Sequence, residues 1–285
     1  MGPRPGRTTL SWSRLATVAR TDLRQLRQSP DFWVPMVILA GFFFVVAPAV
    51  LLSLITAAEG SPAVQRVATA VDVLPSRARA AVEGQTASAA GQTSFALAVY
   101  LFAPLAVIVP MTISTAVGAN TLVGERERGT GEFLAHSPAT DREIYLGKLV
   151  ASLVPGYLTT MVGFAVYSLI VNLIVGPRVG GWFFPTAEWW VLMVWVVPPF
   201  LALTLSVVLR LSARVKSSAA AQQASGLVTL PLIMLSYAQS SGFVFGTTAS
   251  GVAIGVLVWA VALAGLARGA RAVTRPRLLG VDGRM

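Results

Sequence analysis

The chain has 285 residues, of which 55% are hydrophobic and only 12% are charged, against roughly 25% charged in a soluble globular domain. This composition predicts an integral membrane protein. The net charge is +10, but a basic nucleic-acid-binding protein would carry many more charges in total. The absence of cysteine and the single histidine, His136, exclude disulfide frameworks, Cys/His zinc sites and thiol nucleophiles.

Residues 1–31 are predicted to contain an amphipathic helix. Its apolar residues recur at helical spacing, and arginines occupy the other faces: Trp12, Leu15, Ala16, Ala19, Leu23 and Leu26, with Arg14, Arg20, Arg24 and Arg27. A basic helix of this kind lies in the membrane interface. It acts there as a membrane anchor, as a grip for a cytoplasmic partner, or as both.

Uncharged runs predict the membrane-spanning helices, since a span needs about 20 apolar residues and a charge at mid-bilayer costs about 2.5–3.5 kcal/mol. The last run, Ser217 to Ala267, is too long for one helix and holds a polar, glycine-rich segment near 239–248, so it predicts two spans and a hairpin. The predicted transmembrane domain, 32–267, therefore has six spans, at about 32–55, 94–124, 147–175, 189–209, 217–240 and 249–267.

The distribution of basic residues predicts the orientation. Of 22 lysines and arginines, 18 fall in residues 1–31, 125–148, 210–216 and 268–285. This asymmetry places both termini, including the basic tail 268–285, in the cytoplasm.

Two outer loops follow from this orientation. The loop 56–93 suggests one or two short helices broken at Pro75. The second outer loop, 176–188, and the residues directly after it contain a cluster of aromatic residues that fits a belt at the outer headgroups: Trp182, Phe183, Phe184, Trp189 and Trp190.

The predicted spans lack the chemistry of several classes of membrane protein. The uncharged runs (32–55, 94–124, 149–175, 189–209 and 217–267) contain no Asp, Glu, Lys, Arg or His, which excludes intramembrane proteases and disfavours a proton-driven carrier. Sodium coupling through carbonyls and hydroxyls stays open. The chain has no GxxxxGK[ST] phosphate-binding loop. We therefore expect no catalytic residue, cofactor or metal site in this chain, and ATP hydrolysis, if used, belongs to another polypeptide.

The cytoplasmic loop 125–146 is the most informative segment. Thr130 lies in a glycine-flanked turn and can cap a short helix, which Pro138 ends. That helix would present Phe133 and Leu134. They fit either a partner's groove or the membrane interface, and the residues alone do not decide between these.

A helix-start signal precedes the third run. Thr140 and Glu143 have the Thr-x-x-Glu spacing of a capping box, and Asp141 is favourable in a first turn. We expect the third span to begin here as a well-capped helix.

The loop closely resembles the coupling region of ABC-2-type transport permeases, whose pattern runs Glu-(Lys/Arg)-Glu-x-Gly-Thr-x-Glu-x-Leu, then Ser-Pro, Glu-Ile and Gly-Lys. The matching residues are Glu125, Arg126, Glu127, Gly129, Thr130, Glu132, Leu134, Ser137, Pro138, Glu143, Ile144, Gly147 and Lys148. A second segment supports this resemblance, because it is similar to the entry into the fifth span of the family's sodium- or drug-extrusion branch. Its matching residues are Val215–Ser218, Ala221–Gln223, Ser225, Gly226 and Pro231.

The resemblance implies an all-α membrane protein with six transmembrane helices, an N-terminal interfacial helix and a cytoplasmic coupling helix, as in ABC-2 or type V exporters. It implies a permease subunit, not itself an enzyme, in the bacterial plasma (inner) membrane. Its partners would be the lipid bilayer, a second permease subunit (a copy or a paralogue) and two copies of an ATPase subunit, which binds ATP and Mg. The coupling contact would comprise Glu127, Gly129, Thr130, Glu132, Phe133, Leu134, Ser137 and Pro138.

Two departures from the family pattern bear on the substrate. Gly131 stands where the family often has leucine, and the hairpin near 239–248 is short for the re-entrant helices of polysaccharide and lipid exporters. A large polymer is therefore disfavoured. The main polar groups of the spans suit an apolar or amphipathic drug, a lipid or a sodium ion, or simply bond neighbouring helices: Thr112, Ser114, Thr115, Asn120, Asn172, Gln222, Gln223 and Tyr237.

The alternative function is a non-transporting membrane scaffold or regulatory subunit bound to an ABC ATPase. A stand-alone channel or secondary carrier is disfavoured by the missing intramembrane charges.

Overall fold

The computed structural model describes residues 10–127 apart from 70, 72 and 73, residues 136–212 and 248–272, and the single residues 220, 223 and 226. The described residues are helical, with no strand among them. Five helical segments are long and apolar enough to cross a membrane: Pro30–Ala57, Ala89–Thr121, Asp141–Ile174, Ala187–Ser212 and Thr248–Ala270. These helices confirm the prediction of an all-α, multi-pass membrane protein. The predicted span 217–240 lies outside the continuous described ranges.

The first half of the chain contains one helix ahead of the first span, two short helices after it, and then the second span. Their bounds are α1 Trp12–Gln28, α2 Pro30–Gly41, a π-helical stretch Phe42–Val46, α3 Ala47–Ala57, α4 Pro62–Ala68, α5 Ser76–Glu83, α6 Ala89–Ala96, a π-helical stretch Leu97–Leu101 and α7 Leu105–Glu127.

The described residues of the second half contain three further candidate spans. Their elements are α8 Asp141–Ile174, α9 Gly176–Val179, α10 Ala187–Trp190, a π-helical stretch Val191–Val196, α11 Val197–Ser212 and α12 Thr248–Ala272.

A single residue separates α1 from the first span. Ser29 has an extended backbone, with φ −108° and ψ 99°. Pro30 occupies the first position of α2, where proline loses no intrahelical hydrogen bond. The predicted helix ahead of the first span is therefore confirmed, and it joins that span through a sharp break.

The predicted capping box of the third span is confirmed. The Thr140 hydroxyl accepts a hydrogen bond from the Glu143 N–H at 3.3 Å, and the Glu143 carboxylate accepts one from the Thr140 N–H at 2.7 Å. Because this box fixes the helix start, α8 begins at Asp141, as the box predicts and six residues ahead of the predicted start of the span at 147.

The loop after the first span contains α4 and α5 on either side of Pro75, as predicted. Val64 of α4 and Val82 of α5 are buried. Arg178, which follows the third span, donates a hydrogen bond to the Thr56 carbonyl at 2.7 Å. These contacts make the loop a packed cover over one end of the bundle.

The aromatic residues that follow α8 define the aromatic end of the bundle. Trp182 and Trp190 are exposed, at 68% and 49%, as a headgroup belt requires. The belt prediction is wrong for Phe184 and Trp189, which are buried. The Trp189 ring stacks on Phe164 with centroids 5.7 Å apart, and its Nε1 donates to a backbone carbonyl, so this ring belongs to the core.

The last described helix, α12, runs beside α10 and α11 in the same direction. At the aromatic end, the Thr248 hydroxyl donates to Glu188 at 3.2 Å. Further along, Trp195 Nε1 donates to the Val252 carbonyl at 3.1 Å. Gly265 lies against Leu203 near the other end. These contacts follow the same order along both segments, so α12 runs parallel to the span that contains α10 and α11.

Candidate functional site

The predicted coupling residues fall partly within the described structure. Glu127 is the last residue of α7, and Ser137 and Pro138 lie in the turn before α8. Five predicted residues lie outside the described ranges: Gly129, Thr130, Glu132, Phe133 and Leu134. The described part of the site is thus the base from which the loop leaves the bundle. This end of the bundle, marked by α1, Lys148 and Arg210, is the basic end.

The N-terminal part of α1 is bonded to the start of α8. Arg14 donates to the Pro138 carbonyl at 3.2 Å and pairs with the Glu143 carboxylate at 3.3 Å. The Ser11 N–H donates to the same carboxylate at 2.6 Å. The Glu143 side chain is fully buried, so it serves both as the cap of α8 and as the attachment of α1. The sequence predicted only its role as a cap.

A buried ion pair joins the middle of α1 to α8. Lys148 Nζ lies 3.3 Å from Asp22 Oδ2, and their side chains are 0% and 9% exposed. Lys148 also donates to the Thr121 carbonyl of α7 at 3.3 Å. One ammonium group therefore contacts α1, α7 and α8, the three helices that border the loop.

The energetics of this pair favour geometric specificity over net stability. Removing two charges from water costs several kcal/mol per ion, and their attraction offsets this cost only when the geometry is good. Breaking such a pair by removing one partner costs about 3–5 kcal/mol, because the other charge stays buried and uncompensated. The pair therefore penalises any arrangement in which Asp22 and Lys148 separate without reaching water.

Gly147 explains how α1 comes so close to α8. A Cβ atom at this position would lie 2.8 Å from Val18 Cγ1 and 3.2 Å from the Leu15 carbonyl oxygen. Only glycine leaves this space free. The Gly-Lys step of the motif thus has a structural reason: Gly147 admits α1, and Lys148 binds the carboxylate that α1 brings.

The opposite side of the first turns of α8 receives α11 and α12. Tyr145 is fully buried, and Gly269 of α12 lies against its hydroxyl, where any larger residue would clash. Leu205 and Leu209 of α11 belong to the same apolar cluster. The base of the loop is therefore a junction at which five helices meet.

Asp22 is the site residue that the sequence patterns did not single out. It is the lone acidic residue of α1, and it lies seven residues after Leu15 and four after Val18, on the apolar face. A carboxylate on the apolar face of an otherwise basic helix was the available signal. Its partner, 126 positions further on, was not recognisable from spacing.

The junction has the character of a mechanical connection. Arg14 pairs with Glu143 and Lys148 with Asp22, and the described residues contain no group of three or more His, Asp or Glu side chains that could hold a metal ion. Two of the polar residues of the spans bond the backbone: the Asn172 amide bonds Phe184, and Asn120 bonds its own helix.

The helices and the junction define a multi-pass helical membrane protein whose N-terminal helix, α1, is bonded to the base of a loop between two spans. A family model described as ABC-2 family transporter protein matches residues 16–269. The match covers most of the chain, and the chain belongs to this family. The comparison with curated proteins gives no match. The family predicted from the loop motif is thereby confirmed.

Proposed function

We propose that this chain is the permease subunit of an ABC exporter and that it binds a cytoplasmic ATPase subunit through residues 127–138. Family membership supports the class. The observation that carries the coupling role is Lys148, which contacts α1, α7 and α8 where the loop leaves them. A force applied to the loop by an ATPase would reach all three helices together.

In this proposal the chemistry and the transport lie on different chains. Two ATPase subunits bind and hydrolyse ATP with Mg, and two permease subunits, identical or paralogous, form the pathway. The closing ATPases displace the coupling loops, and each junction passes the displacement to its spans. The spans then reorient and release the substrate on the outer side.

We further propose six spans. α11 ends at the basic end with Ser212, whereas α12 starts at the aromatic end with Thr248, next to Glu188. The chain has to return between these points, and residues 213–247 exceed the roughly 20 residues that one crossing requires. The parallel direction of α11 and α12 thus supports the additional span.

The basic end would face the cytoplasm of a bacterial cell, with both termini on that side. The excess of lysine and arginine in the segments at this end, 18 of the 22 in the chain, supports this orientation. The chain has no cysteine, so single substitutions report topology cleanly. Ser13→Cys should react with an impermeant maleimide only from the cytoplasmic side, and Ser76→Cys only from outside; the reverse pattern refutes the orientation.

The substrate class that we propose is a small apolar or amphipathic molecule or a sodium ion, as in the sodium- and drug-extrusion branch. The supporting match in residues 215–231 favours this branch. A large polymer fits less well, because the predicted hairpin near residues 239–248 is short for the re-entrant helices of polysaccharide and lipid exporters.

Purification and reconstitution test the function. An ATPase should co-purify with the wild-type chain, and Phe133→Asp combined with Leu134→Asp should weaken its binding at least tenfold. Trp182→Asp is the matched control, since Trp182 is an exposed aromatic residue at the opposite end. Unchanged ATPase binding by the loop variant would refute the coupling site. ATPase binding with no ATP-driven flux in vesicles would instead favour the scaffold function.

A further inference from the structure

The structure divides the apolar residues of α1 into two stripes. Leu15, Val18 and Ala19 are buried in the bundle. Trp12 is 75% exposed, although the sequence places it in the same apolar pattern. At about 100° per residue, Trp12, Ala16 and Leu23 fall within about 40° of one another. This second stripe lies beside the first, at the border of the buried face, with Ala16 and Leu23 half-buried.

Three arginines continue around the helix from this outer stripe. By the same helical geometry, Arg27 and Arg20 occupy about the next 40°, and Arg24 lies just beyond them. All three are exposed. Arg24 and Arg27 line an open groove with Leu23 and Gln28. The outer surface of α1 is thus an apolar stripe bordered by guanidinium groups.

The charge of these arginines is not neutralised within the described part of the protein. None of the three lies within ion-pair distance of a carboxylate there. The lone acid of α1, Asp22, is buried against Lys148. Arg14 differs from the other arginines, because it already pairs with Glu143.

We propose that Trp12, Leu23 and the adjacent Arg20, Arg24 and Arg27 form a docking surface for anionic phospholipids. The apolar stripe would enter the acyl boundary, and the guanidinium groups would bind headgroup phosphates.

Continuity with the membrane favours a lipid over a protein as the occupant. α1 leads into the first span through Ser29 alone, so this surface stays close to the bilayer. Tryptophan prefers the headgroup level, and long arginine side chains extend from an apolar face toward phosphates. Bound lipid would hold α1 at the membrane and, through Asp22 and Glu143, stabilise the junction under the loop.

The test uses the full chain in phosphatidylcholine vesicles that contain a trace of photoactivatable phosphatidylglycerol or phosphatidylcholine with the same chains. Mass spectrometry quantifies the adducts on the α1 peptide. Each basic residue near an anionic surface contributes about fivefold, so the wild type should favour phosphatidylglycerol at least tenfold. The triple variant Arg20→Gln, Arg24→Gln, Arg27→Gln should reduce this preference to within about twofold.

Two control variants test whether the lipid preference depends on positive charge and on the position of that charge in α1. The corresponding triple Arg→Lys variant should keep most of the preference, and Arg66→Gln with Arg77→Gln, at the aromatic end, should leave it unchanged. Phosphatidylcholine adducts on the spans report that each variant is folded. Equal labelling of wild-type α1 by both lipids, or an undiminished preference in the triple Gln variant, overturns the proposal. Loss of ATPase binding in that variant with lipid preference retained would assign the arginines to a protein partner. The lipid readout needs neither ATPase nor substrate, so it stands apart from the proposed function.

Discussion

Replacing Lys148 with methionine should destabilise the protein through Asp22. Methionine has a similar volume but no charge, so the variant leaves a carboxylate that is only 9% exposed without its ammonium partner. Removing one member of a buried pair costs about 3–5 kcal/mol. At about 2–4 °C per kcal/mol for a chain of this size, the midpoint of thermal unfolding should fall by roughly 6–20 °C. Size-exclusion chromatography after heating in mild detergent measures this shift.

The double variant Asp22→Leu, Lys148→Met separates the pair from its surroundings. Because it removes both charges, most of the lost stability should return, and the interaction energy from the cycle should exceed about 1.5 kcal/mol. Arg24→Met, on the exposed face of α1, should change stability by less than about 0.5 kcal/mol. Additive losses in the cycle, or a single variant as stable as Arg24→Met, would refute the argument that the pair fixes α1.

Three further variants test the packing. Gly147→Val should lower stability by about 1–3 kcal/mol, because its side chain would push α1 away, whereas Gly41→Ala should not, since nothing lies within 4 Å of the added Cβ; equal thermal midpoints would contradict the close approach. Trp189→Ala should cost about 3–5 kcal/mol and the exposed Trp182→Ala less than about 0.5 kcal/mol; similar losses would return Trp189 to the headgroup belt. Glu143→Ala should accelerate amide hydrogen exchange in α1 at least about tenfold, measured by mass spectrometry, and unchanged exchange would show that this carboxylate does not hold α1.

Local signals predicted the elements around the site. The capping box at Thr140 and Glu143 depends on residues three apart, so its geometry follows from spacing alone. The loop motif led to the correct family for the same reason, because its residues are contiguous.

Contacts between distant segments were not predictable from these signals. Asp22 and Lys148 are 126 positions apart, and periodicity reveals that a residue is on an apolar face without revealing what it meets there. Phe184 and Trp189 show a related limit. Aromatic residues at the end of a span fit equally well in a belt or in a core, and here Asn172 decides by bonding the backbone of Phe183 and Phe184 and folding that turn inward.

The single-residue joint at Ser29 makes α1 a lever. Its 17 residues span about 25 Å at 1.5 Å per residue, so a rotation of about 10° at the joint would displace its far end by about 4 Å. The hydrogen bond from Ser11 to Glu143, at 2.6 Å, does not survive such a displacement. As long as the backbone at Ser29 keeps its conformation, the first span can therefore tilt by more than a few degrees relative to α8 only if Ser11 and Arg14 release Glu143, or if α8 and the loop base move with it.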